Sequence, residues 1–322
     1  APALDAIERA LEDRLVRSGV DPEGRSWKRA AQETTEATLD ASLEFPPGQS
    51  LFTMIVTERV ESWIDGVREP RVAAWRGAVA NRLLSPIDPP DGAEAMVAPM
   101  TWVLEQAADG LRLTQSHYLP PAVVREGVER FDWWPFDRPP RSEADVPQLL
   151  DLREVATDLR LVRRTGRDLK LTKSGVAALT NPAVLWRRLV DTIGGSSEFE
   201  GIVAELLALS LLHGDAVDDE LERELASVLA ALGWRRTDGE ISPRDVGEAL
   251  WERLRVWVAL NIVDHHWSVW DSATQEELEP SRVALTDAGV TTVLAYLRRR
   301  ALAPRHDVGH PDDFDDLDDL DD

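Results

Sequence analysis

The chain has 322 residues, a formal net charge of -23 and no cysteine. The lack of cysteine excludes disulfides, thiolate metal sites and cysteine nucleophiles, and the acidic balance opposes broad nonspecific adhesion to nucleic acid. No secretory signal and no apolar run long enough to span a bilayer is found, which predicts a cytoplasmic protein that does not bind membranes.

Helical periodicity dominates the N-terminal part of the chain. Amphipathic helices fit four segments, residues 3–19, 26–43, 51–67 and 69–84. A proline-rich linker at 85–93 follows these helices. We therefore predict an N-terminal helical region over residues 1–90.

Two distant segments share one local pattern: a short alternating strand, a Thr, a Gly three residues later and an apolar helix. In residues 169–175, Thr172 is placed to cap the following helix, and Gly175 allows that helix to approach a neighbouring backbone closely. Residues 283–289 repeat the pattern with their own Thr and Gly. This junction is typical of the end of the wing in a winged-helix module.

A weaker third copy of the junction is predicted at residues 111–114, where His117 takes the place of the Gly and Pro120-Pro121 opens the next helix. With helices expected at 97–108, 197–213, 217–233 and 243–260, the pattern predicts a mainly α fold. We expect a multi-helix protein with two winged-helix-like modules that carry short β-hairpins. The predicted bounds are 91–196 for the first module, 197–303 for a helical region with the second, and 304–322 for a disordered acidic tail.

Several short motifs within residues 98–194 carry a resemblance to a known family. They are Pro99-Met100-Thr101-Trp102-Val103-Leu104, Tyr118-Leu119-Pro120-Pro121-Ala122 and Asn181-Pro182-Ala183-Val184-Leu185-Trp186. The segment resembles a family of uncharacterised actinobacterial proteins that is labelled after a plasmid open reading frame and compared with a transposon passenger protein. The resemblance supports the expected fold and implies no established activity.

Tryptophan is abundant, and core packing is the expected role for those within helical patterns. They are Trp63, Trp75, Trp102, Trp186, Trp251 and Trp257. The aromatic side chains of the loop at 132–147 are expected to lie against a core groove. An exposed aromatic patch there would instead mark a binding site.

Basic residues are concentrated around the first predicted wing of this acidic chain. The candidates for contact with nucleic acid are Arg160, Arg163, Arg164, Arg167, Lys170 and Lys173. Wings commonly contact DNA phosphates while the helix before them reads base edges. The alternative is a solvated hairpin whose charges pair with acidic surface elsewhere.

No catalytic motif is found, and we predict a protein that is not an enzyme and has no cofactor or metal site. Neighbouring residues of a strand point to opposite faces, which disfavours a metal-dependent hydrolase that uses His265 and His266. His213-Gly214-Asp215 and the acids at 218–220 are interpreted as helix termini. Phosphate-binding loops, nucleophile elbows and paired catalytic carboxylates do not occur.

The tail alternates acidic and apolar residues. Phe314, Leu317 and Leu320 are spaced three residues apart, which is typical of a disordered segment that docks into a basic or apolar groove. A solubility tail is the alternative. We predict a non-enzymatic interaction or adaptor protein with a protein partner. The other hypothesis is a duplex-DNA-binding regulator that uses the basic wing and is restrained by the tail.

Overall fold

The computed structural model describes residues 2–18, 25–41, 49–134, 136, 138–236, 239–266, 268–270 and 277–303. This part of the chain is mainly helical, with small antiparallel sheets. The described residues divide into two compact units, one drawn from 2–63 and 298–303 and the other from 64–297. None of the described helices is long and apolar enough to cross a membrane.

The helices and strands follow each other closely along the chain. The first half contains α1 (Pro2–Ser18), α2 (Arg25–Asp40), α3 (Leu51–Asp65), α4 (Pro70–Leu83), α5 (Ala93–Ala107), β1 (Leu111–Arg112), α6 (Pro121–Phe131), a 3-10 turn (Glu143–Asp145), α7 (Pro147–Asp158), β2 (Val162–Thr165), β3 (Asp168–Leu171), α8 (Lys173–Leu179) and α9 (Pro182–Val190). The second half contains α10 (Glu198–Leu211), β4 (Ala216–Val217), α11 (Asp218–Ala231), β5 (Arg235–Arg236), β6 (Gly239–Glu240), α12 (Pro243–Ala259), β7 (Val263–His266), β8 (Val269–Trp270), β9 (Glu277–Glu279), β10 (Arg282–Leu285) and α13 (Asp287–Leu302).

The smaller unit contains a helical pair formed by α1 and α2. Residues one turn apart interact along the second helix of this pair. Arg29 and Glu33 form an ion pair at 2.9 Å, and the Thr38 hydroxyl donates a hydrogen bond to the Thr34 carbonyl at 2.8 Å. The predicted helices over 3–19 and 26–43 are confirmed.

The larger unit contains the same arrangement twice. The elements from α5 to α8 form the first repeat, and those from α10 to α13 form the second. Both repeats share one order of main elements: a helix, a strand, two helices, the two further strands of the sheet and a final helix. The second repeat adds two short hairpins, β5-β6 and β8-β9. In each three-stranded antiparallel sheet the last strand lies in the centre, giving the orders β1-β3-β2 and β4-β10-β7. The duplication read from the sequence is therefore present in the backbone.

The junction after the first hairpin is held by Thr172. Its hydroxyl accepts a hydrogen bond from the Gly175 N–H at 3.0 Å and donates one to the Arg160 carbonyl at 2.6 Å. Its backbone N–H donates to the Leu161 carbonyl at 2.9 Å, and Arg160 has a φ of 54°. The predicted cap of α8 is confirmed, and the same side chain also ties α8 to the turn after α7.

The second junction repeats these contacts. The Thr286 hydroxyl accepts from the Gly289 N–H at 2.9 Å and donates to the Asn261 carbonyl at 2.8 Å. Its backbone N–H donates to the Ile262 carbonyl at 3.1 Å, and Asn261 has a φ of 51°. The sequence pattern thus identified a real structural unit at both positions.

The predicted third copy is present only in its strand and in the start of the next helix, and the predicted cap is wrong. Leu111 and Arg112 do form a strand, but it pairs with β3 and is the first strand of the sheet. The Thr114 hydroxyl accepts a hydrogen bond from the Tyr118 N–H at 3.0 Å within a turn, so it does not cap a helix. Helix α6 begins at Pro121, which confirms the predicted opening at Pro120-Pro121.

The core of the larger unit is built around α10, in which residues 201–211 are all buried. Trp102, Trp186 and Trp257 are almost completely buried. The indole N–H of Trp186 donates to the Thr292 hydroxyl at 2.8 Å, which satisfies its polar edge. The predicted core role is confirmed for these three and for Trp63, whereas Trp75 and Trp251 are half-buried.

The aromatic loop at 132–147 is divided between core and surface. Trp133 is buried and stacks on Phe131 with ring centroids 4.8 Å apart. Phe136 is 62% exposed, and its ring packs edge to face with that of Trp134 with centroids 4.9 Å apart. The expected packing against the core is therefore confirmed for Trp133, and a binding role for the exposed Phe136 stays a prediction.

Candidate functional site

The outward side of the first sheet carries three basic side chains. Arg163 lies directly opposite Lys170, and Arg112 lies opposite Asp168. Because alternate residues of a strand share a side, these four residues lie on the side away from buried Leu169. Arg112 forms an ion pair with Asp168 at 3.1 Å. We call Arg112, Arg163 and Lys170 the basic face.

The other predicted nucleic-acid contacts have different surroundings. Arg167 turns towards the protein, where Nε and Nη2 donate to the Leu113 carbonyl at 3.2 and 2.8 Å. Arg164 is exposed but lies opposite Leu169, on the other side of the sheet. Arg160 and Lys173 are exposed at the turn before β2 and at the start of α8. Of the six candidates, the structure places Arg163 and Lys170 side by side and gives Arg167 a role in the fold.

The second repeat provides an internal comparison for these cations. With the repeats aligned on Thr172 and Thr286, four of the six candidate cations correspond to a neutral or acidic residue. The pairs are Arg160 and Asn261, Arg163 and Asp264, Lys170 and Ala284, and Lys173 and Asp287. Asp264 and Ala284 are register partners in their sheet, as Arg163 and Lys170 are in theirs. This difference in charge between the two repeats is present in the sequence, but the residues can be matched only once the strand register is known.

Helices α7 and α12, which precede the main hairpin of each repeat, pack against each other. Arg255 on α12 donates through Nε to the Asp151 carboxylate on α7 at 2.9 Å. The cation Arg153 of α7 turns inward to fully buried Glu143, at 2.6 Å. Glu154 and Asp158 remain exposed on α7. The free surface of this helix is therefore acidic.

A cleft of about 670 Å³ lies beside this helix pair. Its lining contains Asp151, Glu154, Asp158, Asp191, Glu200, Glu252, Arg253 and Arg255. Burial raises the pKa of Glu200, but hydrogen bonds from the backbone of Ser196 and Ser197 and the charge of Arg253 outweigh it and lower the pKa overall. Glu200 therefore stays ionised and adds to the acidic character of the cleft.

The two neighbouring histidines do not point to a common site. The side chain of His265 is 2% exposed, and its Nε2 lies 2.9 Å from the Asp218 carboxylate and 3.3 Å from the Ser281 hydroxyl. His266 is exposed on the opposite side of β7. Both partners contact the same imidazole nitrogen, which differs from the arrangement of a Ser-His-Asp triad. Asp218, interpreted from sequence as a helix-terminal acid, is in addition the partner of a buried histidine.

Glu222 on α11 supplies a testable pH dependence. Burial is the main cause that raises its pKa, Asp219 and Asp218 raise it further, and the indole N–H of Trp251 acts in the opposite direction. A carboxyl group with a raised pKa stabilises the fold at low pH, and this contribution is lost as the pH rises through the folded-state value.

We expect Glu222→Gln to be more stable than the wild type at pH 7 and to lose this advantage towards pH 4. Urea unfolding of both proteins at the two pH values measures the effect. Glu248→Gln, which removes an exposed carboxylate from α12, is the control. An equal difference at both pH values would contradict the prediction.

Some predicted sites lie outside the described residues, among them Phe314, Leu317 and Leu320 of the tail. Within the described residues, no group of three or more His, Asp or Glu side chains is arranged to hold a metal ion. The family resemblance of residues 98–194 stays a prediction. Comparison of the chain with protein-family models, curated proteins and solved structures finds no match.

Proposed function

We propose that the protein is a non-enzymatic interaction protein, an adaptor built on two winged-helix-like modules. The order of elements in each repeat supports this assignment, since a helix, a strand, two helices and a hairpin lead to a central last strand. The threonine junctions support it as well, because they fix the hairpin to the helix before it and the helix after it. Winged-helix modules bind either DNA or proteins. The choice between these two kinds of partner must therefore be argued from the charge and packing of the surfaces.

The observation that carries the proposal is the packing of α7 on α12. In a DNA-binding winged helix, the helix before the wing enters the major groove. Here these two helices, α7 and α12, pack against each other, and an ion pair between Arg255 and Asp151 joins them. The surface that each would present to DNA is therefore partly covered. The exposed charges of α7, Glu154 and Asp158, would repel phosphates. This geometry favours a protein partner that binds the assembled pair of modules.

Affinity purification of the tagged protein from the encoding organism tests this function. The extract is treated with nuclease and kept at low salt concentration. We expect a protein partner in stoichiometric amounts. Asp151→Arg places a like charge opposite Arg255 and should separate α7 from α12. The variant should therefore no longer capture the partner. The charge swap of Asp151→Arg with Arg255→Asp should restore this capture. No partner in the untreated or treated extract, or an association lost on nuclease treatment, would overturn the proposal.

A second candidate function is a DNA-binding regulator that the acidic tail restrains. The observation that favours it is the exposure of Arg163, Arg164 and Lys170 in the first hairpin, where wing residues of such proteins meet phosphates. Nine Asp residues in 305–322 could compete for the same cations by mimicking phosphates.

Fluorescence anisotropy with a labelled duplex tests this candidate. If it is correct, Arg163→Glu with Arg164→Glu lowers affinity and reduces the slope of log K against log salt by about 2, because two phosphate contacts are lost. A chain ending at Pro304 should bind more tightly than the full chain. Binding that the double variant leaves unchanged would exclude the hairpin as the contact.

A further inference from the structure

The basic face holds an unfavourable pair of like charges. Arg163 and Lys170 are direct cross-strand neighbours, and like charges in this position destabilise a sheet. The carboxylate of Asp168 on the same side is engaged by Arg112. In the part of the chain that the structure describes, no carboxylate forms an ion pair with Arg163 or Lys170. The two charges therefore act against the fold.

The second repeat shows that the fold does not need these charges. It builds the same sheet order and the same threonine junction with Asp264 and Ala284 at the corresponding positions. Since the same backbone forms without the cations, their presence in the first repeat needs another reason. An anionic ligand that neutralises Arg163 and Lys170 would supply one.

We propose that the basic face binds an acidic segment of a polypeptide partner. This inference rests on the adaptor function and names the chemistry of one partner contact. The exposed guanidinium of Arg163 can bind a carboxylate through two parallel hydrogen bonds, and Lys170 beside it adds a second positive charge. The strands of this face are at most four residues long, so the surface matches a short extended segment.

The charges around the face favour a peptide over a DNA duplex. A short segment interacts mainly with charges within a Debye length of about 10 Å, which are those of the face itself. A duplex carries negative charge far beyond that distance. It would extend beyond the face over the surface of a chain whose formal net charge is -23.

The test is anisotropy with a labelled peptide of alternating Glu and Ser residues and with a labelled duplex, at the same salt concentration. The face variant combines Arg163→Asp and Lys170→Ala, the residues that the second repeat uses. The control combines Arg223→Asp and Arg244→Ala, which make the same change in charge at exposed positions of α11 and α12. Circular dichroism and thermal unfolding should show that both variants remain folded.

We expect the peptide to bind the full-length wild type and the control, and the face variant to bind about tenfold more weakly. The inference is overturned if the peptide does not bind, if the face variant binds as well as the control, or if the duplex binds more tightly than the peptide. These results leave the adaptor function intact as long as a partner is captured. Failure of that capture is a separate outcome of the purification experiment.

Discussion

Replacing Gly175 or Gly289 with Ala is expected to destabilise the protein by about 3 kcal/mol. A methyl group at Gly175 would overlap the carbonyl oxygen of Leu161, and one at Gly289 would overlap that of Ile262. Each carbonyl also accepts a hydrogen bond from the backbone N–H of the junction threonine. Neither carbonyl can move aside without breaking the connection between hairpin and helix.

Urea unfolding followed by circular dichroism measures this effect, and Gly77→Ala is the matched control. Gly77 is exposed in α4, and a methyl group there would meet no atom within 4 Å. Because Gly in a helix costs roughly 0.5–1 kcal/mol relative to Ala, the control should gain stability. A Gly175→Ala protein as stable as the wild type would show that the junction can relax around the added methyl group.

Breaking the buried ion pair between Arg76 and Glu205 should cost about 3–5 kcal/mol. Arg76 on α4 donates through Nε and Nη2 to one carboxylate oxygen of Glu205 on α10, at 2.9 and 2.6 Å. The side chains are 9% and 1% exposed. Glu205→Leu leaves the guanidinium buried without its main counter-charge, which is the physical source of the loss.

A double variant distinguishes two contributions to this loss of stability: the loss of the ion pair itself and the burial of a charge without its partner. Arg76→Met with Glu205→Leu removes both charges and keeps similar volumes, so it should recover most of the stability lost in Glu205→Leu. The midpoints and slopes of urea unfolding for the wild type, single and double variants give the comparison. A double variant no more stable than the single one would mean that the pair itself, and not the lone charge, sets the cost.

Local patterns in the sequence predicted the local structure well. The Thr and Gly spacing at 172–175 and 286–289 identified both junctions, because their hydrogen bonds join residues three apart. The same reasoning failed at Thr114, where strand and hydroxyl are present but the following residues form a turn. A strand followed by Thr is thus insufficient without the Gly that admits the neighbouring carbonyl.

Long-range contacts were beyond the sequence patterns. The pairing of His265 with Asp218 joins residues 47 positions apart, and neither residue carries a local signal for the other. The packing of α7 on α12 also has no local signal in the sequence, since it depends on how the two repeats pack together. The predicted cluster of six cations was likewise divided by strand register, which turned Arg167 inward and set Arg163 beside Lys170.

The threonine junctions also determine where the chain can change length. Each junction fixes the final strand against the turn after the preceding helix, so a slip of one residue would exchange the buried and exposed sides of the strand. The opposite ends of the two hairpins are held differently: Arg167 bonds to the Leu113 carbonyl in the first, and the Ser281 hydroxyl donates to the His266 carbonyl in the second. The first repeat closes it with the short turn at Gly166, whereas the second inserts the longer segment from 267 to 281. The hairpin tips are therefore where this architecture can accept inserted residues while the surfaces at the base of each sheet stay unchanged.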